Sequence, residues 1–218
     1  MVDNFELIKN YISAVTEFIG ESFEHDDDKY YTVEIIKRKK DNPEIHGDRR
    51  TIKIYYINST DKLDENKNEI ITLCNVFKAR AYISVNYKSY KKVMLATLTE
   101  YANRAMNEDY KKPYSIYQSC SGKYADSKNK LWLIDVDKED IENLSFTKDE
   151  IVTKLVDITD KWSNPNKHFS YTIPTCSGIH IIVLPFNLYA SKENNYDFRN
   201  LLDDDKVKKN AQTILYAP

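Results

Sequence analysis

Apolar side chains recur at helical spacing at Phe5, Ile8, Ile12, Val15 and Ile19, which predicts an amphipathic helix over 4–23. The acidic run from Glu24 to Asp28, with His25 inside it, breaks that pattern. Residues 30–40 and 51–57 alternate and are rich in β-formers, with a turn-rich loop carrying Pro43 and Gly47 between them; this reads as a hairpin with a long loop. Residues 59–77 read as a helix capped by Ser59 or Thr60, 79–86 as a strand, and 88–110 as a long helix. That last helix presents Val93, Leu95, Ala96, Leu98, Tyr101 and Ala105 as its apolar positions. Further on, 131–137 is a short apolar strand ending in acids, and Thr147 with Glu150 forms a capping-box pattern that opens a helix over 147–162. Residues 169–175 and 180–186 read as strands joined by the turn Cys176-Ser177-Gly178; 196–210 is mixed, and 213–218 is strand-like.

Strands alternate with helices and hairpins, so the expected fold is α+β or α/β, a sheet with helices packed on one side. No repeat and no Gly/Ser- or Pro-rich linker divides the chain. It is expected to be one unit, 1–218, with a helical and hairpin part over 1–112 and a second part over 113–218.

Composition narrows the function classes. With 218 residues, 30% of them charged, and a net charge of −2, the chain is not a uniformly basic nucleic-acid coat, and any contact with nucleic acid uses local patches. No stretch approaches the length of a membrane span, and the acid-bearing N-terminus does not read as a secretory signal. Cys74, Cys120 and Cys176 are too few for a four-cysteine zinc site and too scattered for a disulfide framework, so a reducing compartment is expected.

Two places carry candidate chemistry. Asp135 and Asp137 end an apolar strand at positions i and i+2, so both project from one face. Paired carboxylates repel, and a divalent cation such as Mg2+ or Mn2+ relieves that repulsion; acids that simply mark the end of a strand are the plainer alternative. Downstream, Gly178 permits a close backbone approach, and His180 opens a strongly apolar strand. Lys37-Arg38-Lys39-Lys40, Arg80 and Lys123 are candidate cations for a phosphate. Gly122-Lys123 is not a P-loop, because the upstream glycine is missing and Tyr124 follows where Ser or Thr belongs. Basic stretches interleaved with tyrosine, Tyr87–Lys92 and Tyr110–Tyr114, suit either strand binding or a solvated helix face.

An apolar run ending in Asp-x-Asp, then a helix, then a strand pair with a Ser-Gly turn and a histidine resembles the archaeo-eukaryotic primase superfamily, which includes the primase-polymerases of phages and plasmids. Leu131–Asp137 resembles its first motif. Ser177-Gly178-Ile179-His180 resembles its Ser-x-His second motif, with two residues between Ser and His instead of one. The motif-bearing likeness covers about residues 130–218. The third motif, a single acid, is matched by Asp204, with Asp203, Asp205 and Asp197 as alternatives.

The resemblance implies an α+β catalytic core, with a mixed or antiparallel sheet forming an RRM-like lobe flanked by helices. It implies a DNA-directed primase or primase-polymerase using two divalent ions, Mg2+ or Mn2+, held by Asp135, Asp137 and Asp204. Ser177, His180, Arg80 and Lys123 would bind the nucleotide. The implied partners are a single-stranded DNA template, nucleoside triphosphates and a helicase or other replication protein, in the cytoplasm of a bacterial or phage-infected cell, with no membrane. Two alternatives stand beside it: a non-catalytic relative that binds nucleic acid in replication, and a metal-dependent nuclease.

Overall fold

The structure is a computed structural model describing residues 1–21, 23, 26–113, 115–123 and 130–218. In chain order its elements are β1 (Val2–Asp3), α1 (Phe5–Ile19), β2 (Lys29–Arg38), β3 (Arg49–Ile57), α2 (Thr60–Phe77), β4 (Arg80–Ser84), β5 (Lys88–Ser89), α3 (Tyr90–Met106), α4 (Ser115–Lys123), β6 (Trp132–Asp137), α5 (Lys138–Leu144), α6 (Lys148–Lys161), β7 (Ser170–Pro174), β8 (Gly178–Val183), α7 (Leu188–Asn194), a 3-10 helix (Tyr196–Leu202), β9 (Val207–Lys208) and β10 (Gln212–Ala217). None of the described helices is long and apolar enough to cross a membrane.

The fold is α+β. There are two sheets, and all pairings among the described residues are antiparallel. The first runs β1-β10-β4-β2-β3, with β5 added to β2; the second runs β7-β8-β6-β9. Sequence pattern suggested one sheet. The second arises because 131–183 pairs locally, while the last strand, β10, leaves it and inserts between β1 and β4. The part beginning at residue 113 therefore supplies a strand to the sheet of the part before it.

Local chemistry explains the elements. α1 buries Phe5, Ile8, Tyr11, Ile12 and Val15, the face expected from its spacing, and stops at Gly20, whose positive φ of 72° closes the last turn onto Thr16. Ser59 caps α2 by accepting from the Lys62 N–H, and Thr147 with Glu150 forms a reciprocal capping box on α6. α3 differs from expectation. It starts at Tyr90, after Lys88 and Ser89 have joined β2, and buries only Val93 and Thr97; Leu95, Leu98 and Tyr101 face outward. The reason is its neighbour: α3 packs on α4 through Val93, Ile116 and Cys120, and is not held against the main core.

One apolar core spans both sheets, joining Val33, Ile35, Ile83 and Leu215 to Leu133, Ile173 and Ile182. A second lies between the outer face of β6 and β8 and helix α6, with Ile134, Val136, Ile151, Leu155 and Ile181. Buried amides tie the sheets together. Asn86 Nδ2 donates to the Leu131 carbonyl at 2.9 Å, and its Oδ1 accepts from the Leu131 N–H at 2.7 Å. Asn4 Nδ2 donates to the carbonyls of Pro174 and Ile214 at 2.9 and 3.0 Å. Between the sheets a cleft of about 670 Å³ stays open.

Candidate functional site

The cleft is built by strand alternation. Glu34, Ile36 and Arg38 reach it from β2; Tyr82 and Ser84 from β4, Asn86 from the bend after it and Lys88 from β5; Leu133 and Asp135 from β6. Every second residue along each stretch points inward, as pleated strands require. Arg49, Asp48, Lys208, His180 and Gln212 complete the lining used below.

Asp135 and His180, remote in sequence, are direct cross-strand partners on β6 and β8. His180 Nε2 lies 3.4 Å from Asp135 Oδ1, and Nδ1 lies 2.9 Å from the buried Thr213 hydroxyl on β10. The imidazole thus bridges the two sheets. Burial alone would raise the Asp135 pKa, but the His180 hydrogen bond and charge, with Lys208 and Lys206, outweigh it and hold the carboxyl below its ordinary value. Gly178 makes the pairing possible: a Cβ there would collide with the Val136 carbonyl oxygen and meet Asp137 Cα at 3.0 Å.

Other expected site residues lie elsewhere. Asp137 caps α5 with Asp140, and Lys206 Nζ sits between the two, 2.9 Å from Asp137 Oδ2 and 2.6 Å from Asp140 Oδ2. Burial opposes charge on Lys206, but these carboxylates prevail and keep it protonated far above its ordinary range. Asp204 is exposed on a turn beside Lys209, and Asp203 pairs with Lys192. Ser177 is exposed at the tip of the β7–β8 turn. Arg80 is ion-paired to Asp41 at 2.6 Å and lines a separate hollow with Thr175 and Cys176. The side chain of Lys123 lies outside the described residues.

As donors these side chains do not fit the two-ion centre that the resemblance implies. Lys206 already pairs with Asp137, and Asp204, exposed beside Lys209, is not on the cleft lining that holds Asp135. Among the described residues no three His, Cys, Asp or Glu side chains are grouped to hold a metal ion.

What the cleft does offer is local positive charge. Arg38, Arg49, Lys88 and Lys208 line it against Glu34, Asp48 and Asp135. Arg38 was legible as part of a basic run. Arg49 and Lys208 stand in no motif, and Lys88 lies in a tyrosine-lysine stretch; the available signal for it is the two-residue rhythm of polar side chains at 82, 84, 86 and 88. No family model matches the chain, and no curated protein or solved structure matches it either.

Proposed function

We propose that the protein is a primase-like module that binds single-stranded nucleic acid by its phosphates in the cleft between the two sheets. The observation that carries this reading is the convergence of Arg38, Arg49 and Lys208, from three separate strands, on one open groove. Guanidinium and ammonium groups in such a groove displace the counterions of a phosphate backbone, which gives salt-dependent and largely sequence-tolerant affinity. The three carboxylates of the groove limit its surplus of charge, so affinity is modest.

Fluorescence anisotropy with a labelled oligothymidylate tests it. Binding falls steeply with added salt, and Arg49→Ala with Lys208→Ala weakens it about tenfold or more. Salt-independent binding, or binding indifferent to both substitutions, overturns it.

A second reading, template-directed nucleotidyl transfer with Mg2+ or Mn2+, draws on the adjacency of Asp135 and His180. It needs Lys206 to release Asp137 and a third carboxylate to approach. Incorporation of labelled nucleotides that disappears in Asp135→Ala favours this reading; strand binding without incorporation favours the first. Strand degradation without nucleotides favours a nuclease.

A further inference from the structure

Among the described residues Lys88 bonds to hydroxyls and to no carboxylate, although the Glu34 charge acts on it. Its residue is 7% exposed, yet it faces the cleft, and among the described residues it makes no ion pair. Its Nζ donates to two hydroxyls, Thr32 Oγ1 at 3.0 Å and Ser121 Oγ at 3.3 Å. Lysines this buried normally sit against a carboxylate, because a desolvated ammonium is costly. Here burial pushes the amine down to about 8, with the Glu34 charge opposing the shift.

The surroundings suit an anion. Ser84, also on the cleft wall, accepts from the Thr32 N–H at 3.0 Å, which leaves its own hydroxyl proton to donate. Lys88 is held rigidly. It pairs with Tyr30 in the sheet, and the next residue, Ser89, caps α3 and donates to Asp28 at 2.7 Å. A fixed, largely buried ammonium, linked through Thr32 to the Ser84 hydroxyl, is preorganised for a compact group carrying two negative charges, whereas a backbone phosphodiester carries one.

Resting on the strand-binding reading of the cleft, we infer that its wall at Lys88 is a site for a terminal phosphate, with Lys88 as the anchoring cation and Ser84 as a second donor. A terminal phosphate has two sources, the 5′ end of a strand or the tail of a nucleotide.

Affinities are measured for a 5′-phosphorylated and a 5′-hydroxyl oligothymidylate of equal length, and for dTTP and thymidine. The wild type prefers the phosphorylated member of at least one pair by roughly tenfold. Preference within the oligonucleotide pair assigns the phosphate to a strand end; preference confined to dTTP assigns it to a nucleotide. In Lys88→Met, similar in length but uncharged, the preference falls to within about twofold. In the wild type the Lys88 ε-methylene resonance moves with the phosphorylated ligand and not with its unphosphorylated counterpart, a readout that does not depend on the variant folding. Strand binding with no preference in either pair, or a preference that survives Lys88→Met, overturns the terminal-phosphate site and leaves the strand-binding reading standing. No binding of either oligonucleotide, with dTTP bound no better than thymidine, overturns both.

Discussion

Both ring nitrogens of His180 are engaged, Nε2 toward Asp135 and Nδ1 toward Thr213. The ring therefore orients the carboxylate and ties β8 to β10. Asp135→Asn removes one negative charge from the proposed strand-binding groove, so oligothymidylate affinity is expected to rise a few-fold by anisotropy, while loss of the charge-assisted bond lowers unfolding free energy by about 1–2 kcal/mol. Because the Asp135 carboxyl is held below its ordinary value, its stabilising contribution is complete above the unfolded value of 3.8 and fades as pH falls through the folded one. Lys88 has the opposite sense. Its amine is depressed from 10.5 to about 8 in the fold, so between those values the unfolded chain binds more protons and stability rises with pH. The full span is about 3 kcal/mol. Denaturant titrations from pH 7.5 to 9.5 show this rise in the wild type relative to Lys88→Met, which has no such group. The comparison isolates Lys88 from buried tyrosines such as Tyr11, whose raised pKa values act at higher pH and lower stability there.

At the scale of elements, the β6–β8 pair decides whether the site exists. Asp137 faces Gly178 and Asp135 faces His180 in a single register, and the backbones meet where Gly178 has no side chain. Gly178→Ala drives a methyl group into the Val136 carbonyl. Neither backbone can yield without breaking the ladder, so the substitution costs about 3 kcal/mol or more and lowers the melting temperature by several degrees. Asn86 acts between elements, clamping the end of β4 to the start of β6 through both faces of its amide. Asn86→Ala leaves two buried backbone groups of Leu131 without partners and costs about 2–4 kcal/mol in a denaturant titration. If that substitution is neutral, the two sheets are held together mainly by their apolar contacts.

Across the whole molecule, the cleft is the space left when β10 returns to the first sheet while β6 and β8 stay in the second. Its cations come from chain positions as far apart as Arg38 and Lys208, which is how a protein of net charge −2 gathers positive side chains in one groove. Each contact that reaches a strand phosphate releases about 0.7 of a counterion. A plot of log affinity against log salt therefore flattens by about 0.7 for Arg49→Ala and by a similar step for Lys208→Ala. An unchanged slope in both variants places the strand elsewhere on the surface.

Much of the architecture was set by local chemistry and is legible in the amino-acid order. The apolar spacing from Phe5 to Val15, the Thr147–Glu150 box and the alternation of 30–40 and 51–57 depend on neighbours within a few residues, and each produced its element. The pairing of Asp135 with His180 was also within reach, since both stand on short apolar strands, β6 and β8. What tertiary structure alone decided is which polar side chains share a cleft. Asp137 and Asp204 sit in acid-rich stretches like Asp135, but Lys206 takes the first and solvent the second, through a turn whose path the local pattern does not specify. Lys88 reads as one of several lysines on a helix start. Only the pairing of β5 with β2 turns it inward and removes its water, because burial is set by partners distant along the chain.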